Sequence, residues 1–152
     1  MLITWLSAMV VLCSGTLAGV LFSVARAVVP TFLALPAGPY IKVHQLLDPR
    51  FDPLMPRLTG LSMIASLTLV VLSPTAIAGI AWGTGLVLTA AVALISGLRN
   101  VPMNQQVLSW DPASPPANWN RLRTSWGKWN TVRTWCAIWA FAIYIGATFL
   151  SQ

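Results

Sequence analysis

Near the end of this 152-residue chain, Trp119, Arg123, Trp126, Asn130 and Arg133 recur at intervals of four, three, four and three. At about 3.6 residues per turn, that spacing draws one stripe down one face of a helix. Trp129 stands beside it. Arginine is a permanent cation with a fork of donors that can hold an oxyanion, asparagine orients a ligand without transferring protons, and tryptophan offers a flat apolar wall. A second pair, Asn100 and Asn104, lies four residues apart, on one face if the helix survives Pro102. Its chemistry is again orientation, or the capping of a broken helix.

Proton transfer needs another residue type. His44 is the only histidine and the only side chain whose ordinary titration spans neutral pH. It is the candidate general base, against the plainer reading of a histidine that only makes hydrogen bonds. Metal binding finds little support: one His and three Asp show no ligand spacing. A haem would have to use His44 alone. No glycine-rich phosphate loop is present. Cys13 and Cys136 form no CxxC and should differ in depth too much for a disulfide, so both read as packing residues.

The elements that must position these groups are hydrophobic helices. The chain is 57% hydrophobic and 8% charged, with a mean hydropathy of +0.74, whereas a soluble domain carries about a quarter charged residues. The expected fold is a single all-α domain over 1–152, an integral membrane four-helix bundle. Its spans fall at about 2–25, 58–73, 76–98 and 131–150, and the fourth helix has an extended amphipathic N-terminal part. Between them lie two polar segments, 26–57 and 99–130. In the first, Pro30, Pro36, Pro39, Pro49, Pro53 and Pro56 predict irregular chain with one short interfacial helix at Tyr40 to Leu47. It also carries the acids Asp48 and Asp52. In the second, Pro102 should break or kink the third helix, and Ser114 with Pro115 should open a helix running from Pro116 to Leu150.

All nine Lys and Arg lie in or beside those two segments. The positive-inside rule places both in the cytoplasm and both termini outside, in the cell (inner or plasma) membrane. The net charge of +6 then reflects topology and anionic lipid, not nucleic acid. No basic region precedes the first apolar run, so a cleaved signal peptide is not expected. Gly15 and Gly19 form a GxxxG-like pair that leaves room for a homo-oligomer. Trp110, Trp119 and Arg121 fit an interfacial belt, whereas Trp126, Asn130 and Arg133 belong to a stripe expected to point into the bundle.

Arg99-Asn-Val-Pro-Met-Asn104, then Trp110-Asp-Pro, Trp119 and Trp126-Gly-Lys-Trp-Asn130-Thr-Val-Arg133, resembles the DUF1772, or anthrone oxygenase-like, family of small four-span membrane proteins. That family has an NxPxN element after its third span and a W-x-x-[WH]-N-x-x-R element opening its fourth. The resemblance is specific only over 99–133; elsewhere it rests on the span pattern. It implies oxidation of an anthrone or similar lipophilic aromatic, as in natural product biosynthesis, with O2 as co-substrate and no cofactor. On that account Arg133 holds the enolate oxygen, Asn100, Asn104 and Asn130 orient the substrate, and Trp126 and Trp129 wall the pocket. Arg123 is added to the substrate-binding set by its place in the stripe, and His44 as base by its chemistry. The partners are a lipophilic small molecule and membrane lipids. Two alternatives stay open: a non-catalytic membrane protein that binds or transports a small lipophilic molecule, and a metal or haem enzyme using His44.

Overall fold

The computed structural model describes residues 1–51 and 53–151; Asp52 of the first polar segment lies outside the described residues. Four helical rods account for the fold. The first is α1 (Leu2–Ser23), a π turn at Val24–Val28, and α2 (Val29–Ala34). After a bend comes α3 (Ala37–Phe51). The second rod is α4 (Leu54–Leu72). The third is α5 (Ala76–Ile95), a π turn at Ser96–Asn100, and α6 (Val101–Leu108); the fourth is α7 (Trp119–Leu150). The four rods, Leu2–Ala34, Leu54–Leu72, Ala76–Leu108 and Trp119–Leu150, are each long and apolar enough to cross a membrane. α1 packs on α4, α4 on α5, α5 on α7 and α7 on α1, closing a ring. The chain is an all-α membrane bundle.

The outer surface is apolar: Ile64, Val71, Ile80, Val87 and Trp139 are exposed, as suits side chains solvated by lipid. Small polar residues turn inward instead, among them Ser14, Ser62, Ser66 and Thr89; they allow backbones to approach, and Ser14, Ser66 and Thr89 donate to carbonyls of their own helices. Towards the termini, Val10, Leu69, Trp82 and Tyr144 form one core cluster. There the Trp82 indole donates to Ser151 Oγ at 2.9 Å. Thr89 donates to Gly85 O, so the Tyr144 hydroxyl, 3.1 Å from Thr89 Oγ1, is the donor of that pair. Gly85 makes room for this ring: a Cβ there would lie 2.4 Å from Tyr144 Cε1. Gly15 likewise faces Phe141 of its own chain, where a Cβ would come within 2.9 Å of the ring.

The prolines act differently from expectation. Pro30 and Pro102 do not end their helices; each opens a new α-segment just after a π turn. A helical proline has no N–H and its ring crowds the carbonyl four residues back. In both places the preceding residue bonds five residues back, Val29 N–H to Val24 O and Val101 N–H to Ser96 O. That extra residue relieves the crowding, and the helix goes on. Residues 26–57, expected as mostly irregular chain, are helical over most of their length, and α3 runs well beyond Tyr40 to Leu47. At the second connection, Asp111 builds the turn, its carboxylate accepting from Ala113 N at 2.9 Å and its carbonyl from Ser114 N at 3.1 Å. Ser114 is therefore part of the turn and no cap: α7 starts at Trp119, with Asn118 at its N-cap. The turn lies over the start of α3, where a Cβ on Gly38 would meet Pro112 O at 2.8 Å.

Candidate active site

The loop end of the bundle is assembled around α3, which no regular span pattern would place. Gln45 pins it there by donating from Nε2 to Val107 O (3.1 Å) and Trp110 O (2.8 Å) at the end of α6. Arg123 pins the end of α2: Nη1 donates to Phe32 O and Leu35 O at 2.6 and 2.7 Å, and Nη2 to Asn120 Oδ1 at 2.7 Å. Its guanidinium lies 4.4 Å from the centre of the Trp119 ring. Carbonyls left open at a helix end thus receive a buried cation. Beneath these ties Phe32, Tyr40, Ile41, Met103, Val107 and Trp126 pack into a second core.

Between that core and the bundle centre lies a cavity of about 390 Å³, within the usual range for small-molecule sites, roughly 300–1,000 Å³. Most of its wall is apolar, including Leu21, Val24, Phe32, Phe51, Met55 and Val92. Four groups that can carry chemistry face it together: His44, Asp48, Asn104 and Arg133.

His44 is 2% exposed. Phe32 stacks on its ring at 5.2 Å, and Trp126 and Tyr40 meet it edge-on at 5.3 and 5.7 Å. Burial among these rings pushes its pKa down to about 4, partly offset by the hydrogen bond to Asn104. The imidazole is neutral at physiological pH. Burial also raises the Tyr40 phenol to about 12, against the Arg123 charge, so it stays protonated. Asn104 holds three partners: Oδ1 lies 2.7 Å from Trp126 Nε1 and 3.3 Å from His44 Nε2, and Nδ2 donates to the Asp48 carboxylate. Across the cavity, Arg133 donates from Nε and Nη2 to Asn130 Oδ1 (3.2 and 2.8 Å) and from Nη1 to Ser96 Oγ at 3.0 Å. These bonds use three of its five N–H groups. Asp48 lies within electrostatic reach of this guanidinium.

The stripe does turn inward, since Arg123, Trp126 and Asn130 are all buried. It does not all reach the cavity. Of the residues singled out in sequence, His44, Asn104, Trp126 and Arg133 line it; Asn100, Arg123, Trp129 and Asn130 do not. Asn100 donates to Trp126 O at 3.2 Å and braces α6 on α7. Asn130 supports Arg133, and Trp129 stacks under Arg99 at 5.0 Å. Asp48 is the residue that sequence reasoning passed over. Its signal was its place four residues after His44, on the same face of a helix. Among the described residues, no three of His, Cys, Asp and Glu come together as a cation site.

A family model described as anthrone oxygenase matches residues 50–143. The chain belongs to the anthrone oxygenase family. The match takes in Asn104, Trp126 and Arg133 but begins after His44 and Asp48, so the cavity joins what this family's model covers to residues outside it. Comparisons with curated proteins and with solved structures returned no match.

Proposed function

We propose that this chain is a membrane-embedded oxygenase that uses O2 and no cofactor to oxidise a lipophilic aromatic substrate, anthrone-like or polyketide-like. The observation that carries the reading is the convergence of His44, Asn104, Asp48 and Arg133 on one largely apolar cavity. An anthrone has a methylene beside two aromatic rings whose proton is acidic because the resulting enolate is delocalised. His44, neutral at rest, accepts that proton. The guanidinium of Arg133, which lines the cavity, holds the enolate oxygen; such preorganised donors in a dry site contribute most of the stabilisation. The enolate then gives one electron to O2, and the carbon radical and superoxide combine as a peroxide. Cleavage of the O–O bond with loss of the second carbon proton releases water and leaves a ketone. One oxygen atom stays as the new carbonyl and the other leaves as water, so the balance is one methylene plus O2 to one carbonyl plus H2O.

In this reading Trp126 and Phe32 clasp the flat rings, and Asn100, Asn130 and Arg123 act from behind the wall. The positive charges set the cavity end in the cytoplasm, with both termini outside, in the cell membrane. The test is O2 uptake by purified protein in lipid nanodiscs with an anthrone as substrate, with quinone measured by absorbance. Stoichiometric quinone formation from metal-free protein is expected. Saturable binding of the anthrone without O2 uptake would instead identify a lipophile-binding protein.

A further inference from the structure

Two residues fix which way the Asn104 amide points. The Trp126 indole N–H can only donate, and it meets Oδ1 at 2.7 Å. The Asp48 carboxylate can only accept when ionised, and it takes the hydrogen of Nδ2. Turning the amide over would set N–H against N–H and oxygen against oxygen. The orientation is therefore locked from both ends. His44 Nε2 lies 3.3 Å from the same Oδ1, an acceptor, so Nε2 must carry the proton. The other ring nitrogen, Nδ1, is buried and has no hydrogen-bond partner among the described residues, and the side chain lines the cavity.

We propose that Asn104 is a positioning residue that locks His44 in its Nε2–H tautomer, with Asp48 and Trp126 locking Asn104, so that Nδ1 is the ring nitrogen left bare to receive a proton. The group it serves is a donor, an acidic C–H or a phenolic O–H. The second half of this statement rests on the oxygenase reading; the first does not. Unlike a nitrogen facing water, Nδ1 has nothing to give up before it meets a substrate proton. When it is protonated, the Nε2–H bond to Asn104 persists, and the carboxylate behind Asn104 polarises that amide towards the new cation.

Because His44 is the only histidine, 15N-histidine labelling of the whole protein in nanodiscs yields only two ring-nitrogen signals. At pH 7 the expected spectrum has Nε2 protonated and Nδ1 bare, in a single tautomer. Asn104→Leu removes the acceptor and should give a mixture of tautomers. A mixture or an Nδ1–H form in the unmodified protein would overturn the proposal, and so would a spectrum unaffected by Asn104→Leu. Should Asn104→Leu not fold, the spectrum of the unmodified protein still decides. For catalysis, Asn104→Leu should lower kcat by about 10- to 100-fold with KM little changed. Loss of turnover in no variant, with the tautomer as stated, would refute the role of Nδ1; no turnover in any protein would sink the oxygenase reading alone.

Discussion

Arg133 grips the side-chain oxygen of Asn130, one turn earlier on α7, with Nε at 3.2 Å and Nη2 at 2.8 Å, while Nη1 reaches Ser96 across the bundle. A fork of planar donors is required to make all three bonds and still face the cavity. Arg133→Ala should therefore lower kcat by about 10²–10³-fold, the loss seen when one oxyanion donor is removed, with the helical circular dichroism intact. Arg133→Lys keeps the charge but not the fork and should recover only a small part. Steady-state O2 uptake measures both; full activity in the alanine variant would remove Arg133 from the mechanism.

Arg123 has a different prospect. It does not line the cavity; its Nη1 and Nη2 donate to Phe32 O, Leu35 O and Asn120 Oδ1. Arg123→Gln removes the charged donor from Phe32 O and Leu35 O at the end of α2 and should destabilise the protein by about 1–3 kcal/mol. The expected result is a lower thermal midpoint in detergent, with near-normal turnover below it. Loss of turnover in a protein of unchanged midpoint would instead assign Arg123 to the substrate.

His44 makes stability depend on pH in a defined direction. Its pKa falls from 6.5 unfolded to about 4 in the fold. Between those values the unfolded chain binds more protons than the native one, so stability rises with pH there. It is complete above about pH 6.5 and declines as pH falls towards 4. The charged groups that share the cavity with His44 are Asp48, one turn on along α3, and Arg133 of α7, with Tyr40 edge-on and neutral. His44→Gln should flatten this part of the profile of thermal midpoint against pH. An equal slope in both proteins would contradict the burial of a neutral imidazole.

At the opposite end of the bundle, Gly85→Ala would place a methyl inside the Tyr144 ring, whose nearest atom is 2.4 Å from the new Cβ. Forced displacement of a buried ring that also bonds Thr89 should destabilise by about 1–3 kcal/mol. Thermal unfolding of the variant measures it, and a midpoint equal to that of the unmodified protein would show that the ring has room to move.

What could be read from the chain follows from how far apart the interacting residues lie. The spans and the inward stripe are properties of single helices, and hydropathy with a 3.6-residue period reveals them. Arg133 and Trp126 are legible for the same reason. The meeting of His44 with Asn104 joins residues 60 apart through a proline-rich segment with no period to follow. Gln45, which sets α3 in place, looks in sequence like an ordinary surface amide. Asp48 reads as a solvated charge until Asn104 and Arg133 are seen around it. The prolines mislead because a π turn leaves no periodic trace: Pro30 and Pro102 look like ends when they are continuations.

The π turn at Ser96–Asn100 amounts to an insertion carried within the third rod. One residue added to an α-helix turns everything beyond it by about 100°. Deleting a single residue from this turn would return the rod to plain α register, and α6 would swing through the same angle. Asn104 would then face away from Trp126, Asp48 and His44, although every side chain of the cavity would still be present in the chain. The site is thus set by residue count as much as by residue type, and an alignment gap of one at this turn would separate a chain that can build this cavity from one that cannot.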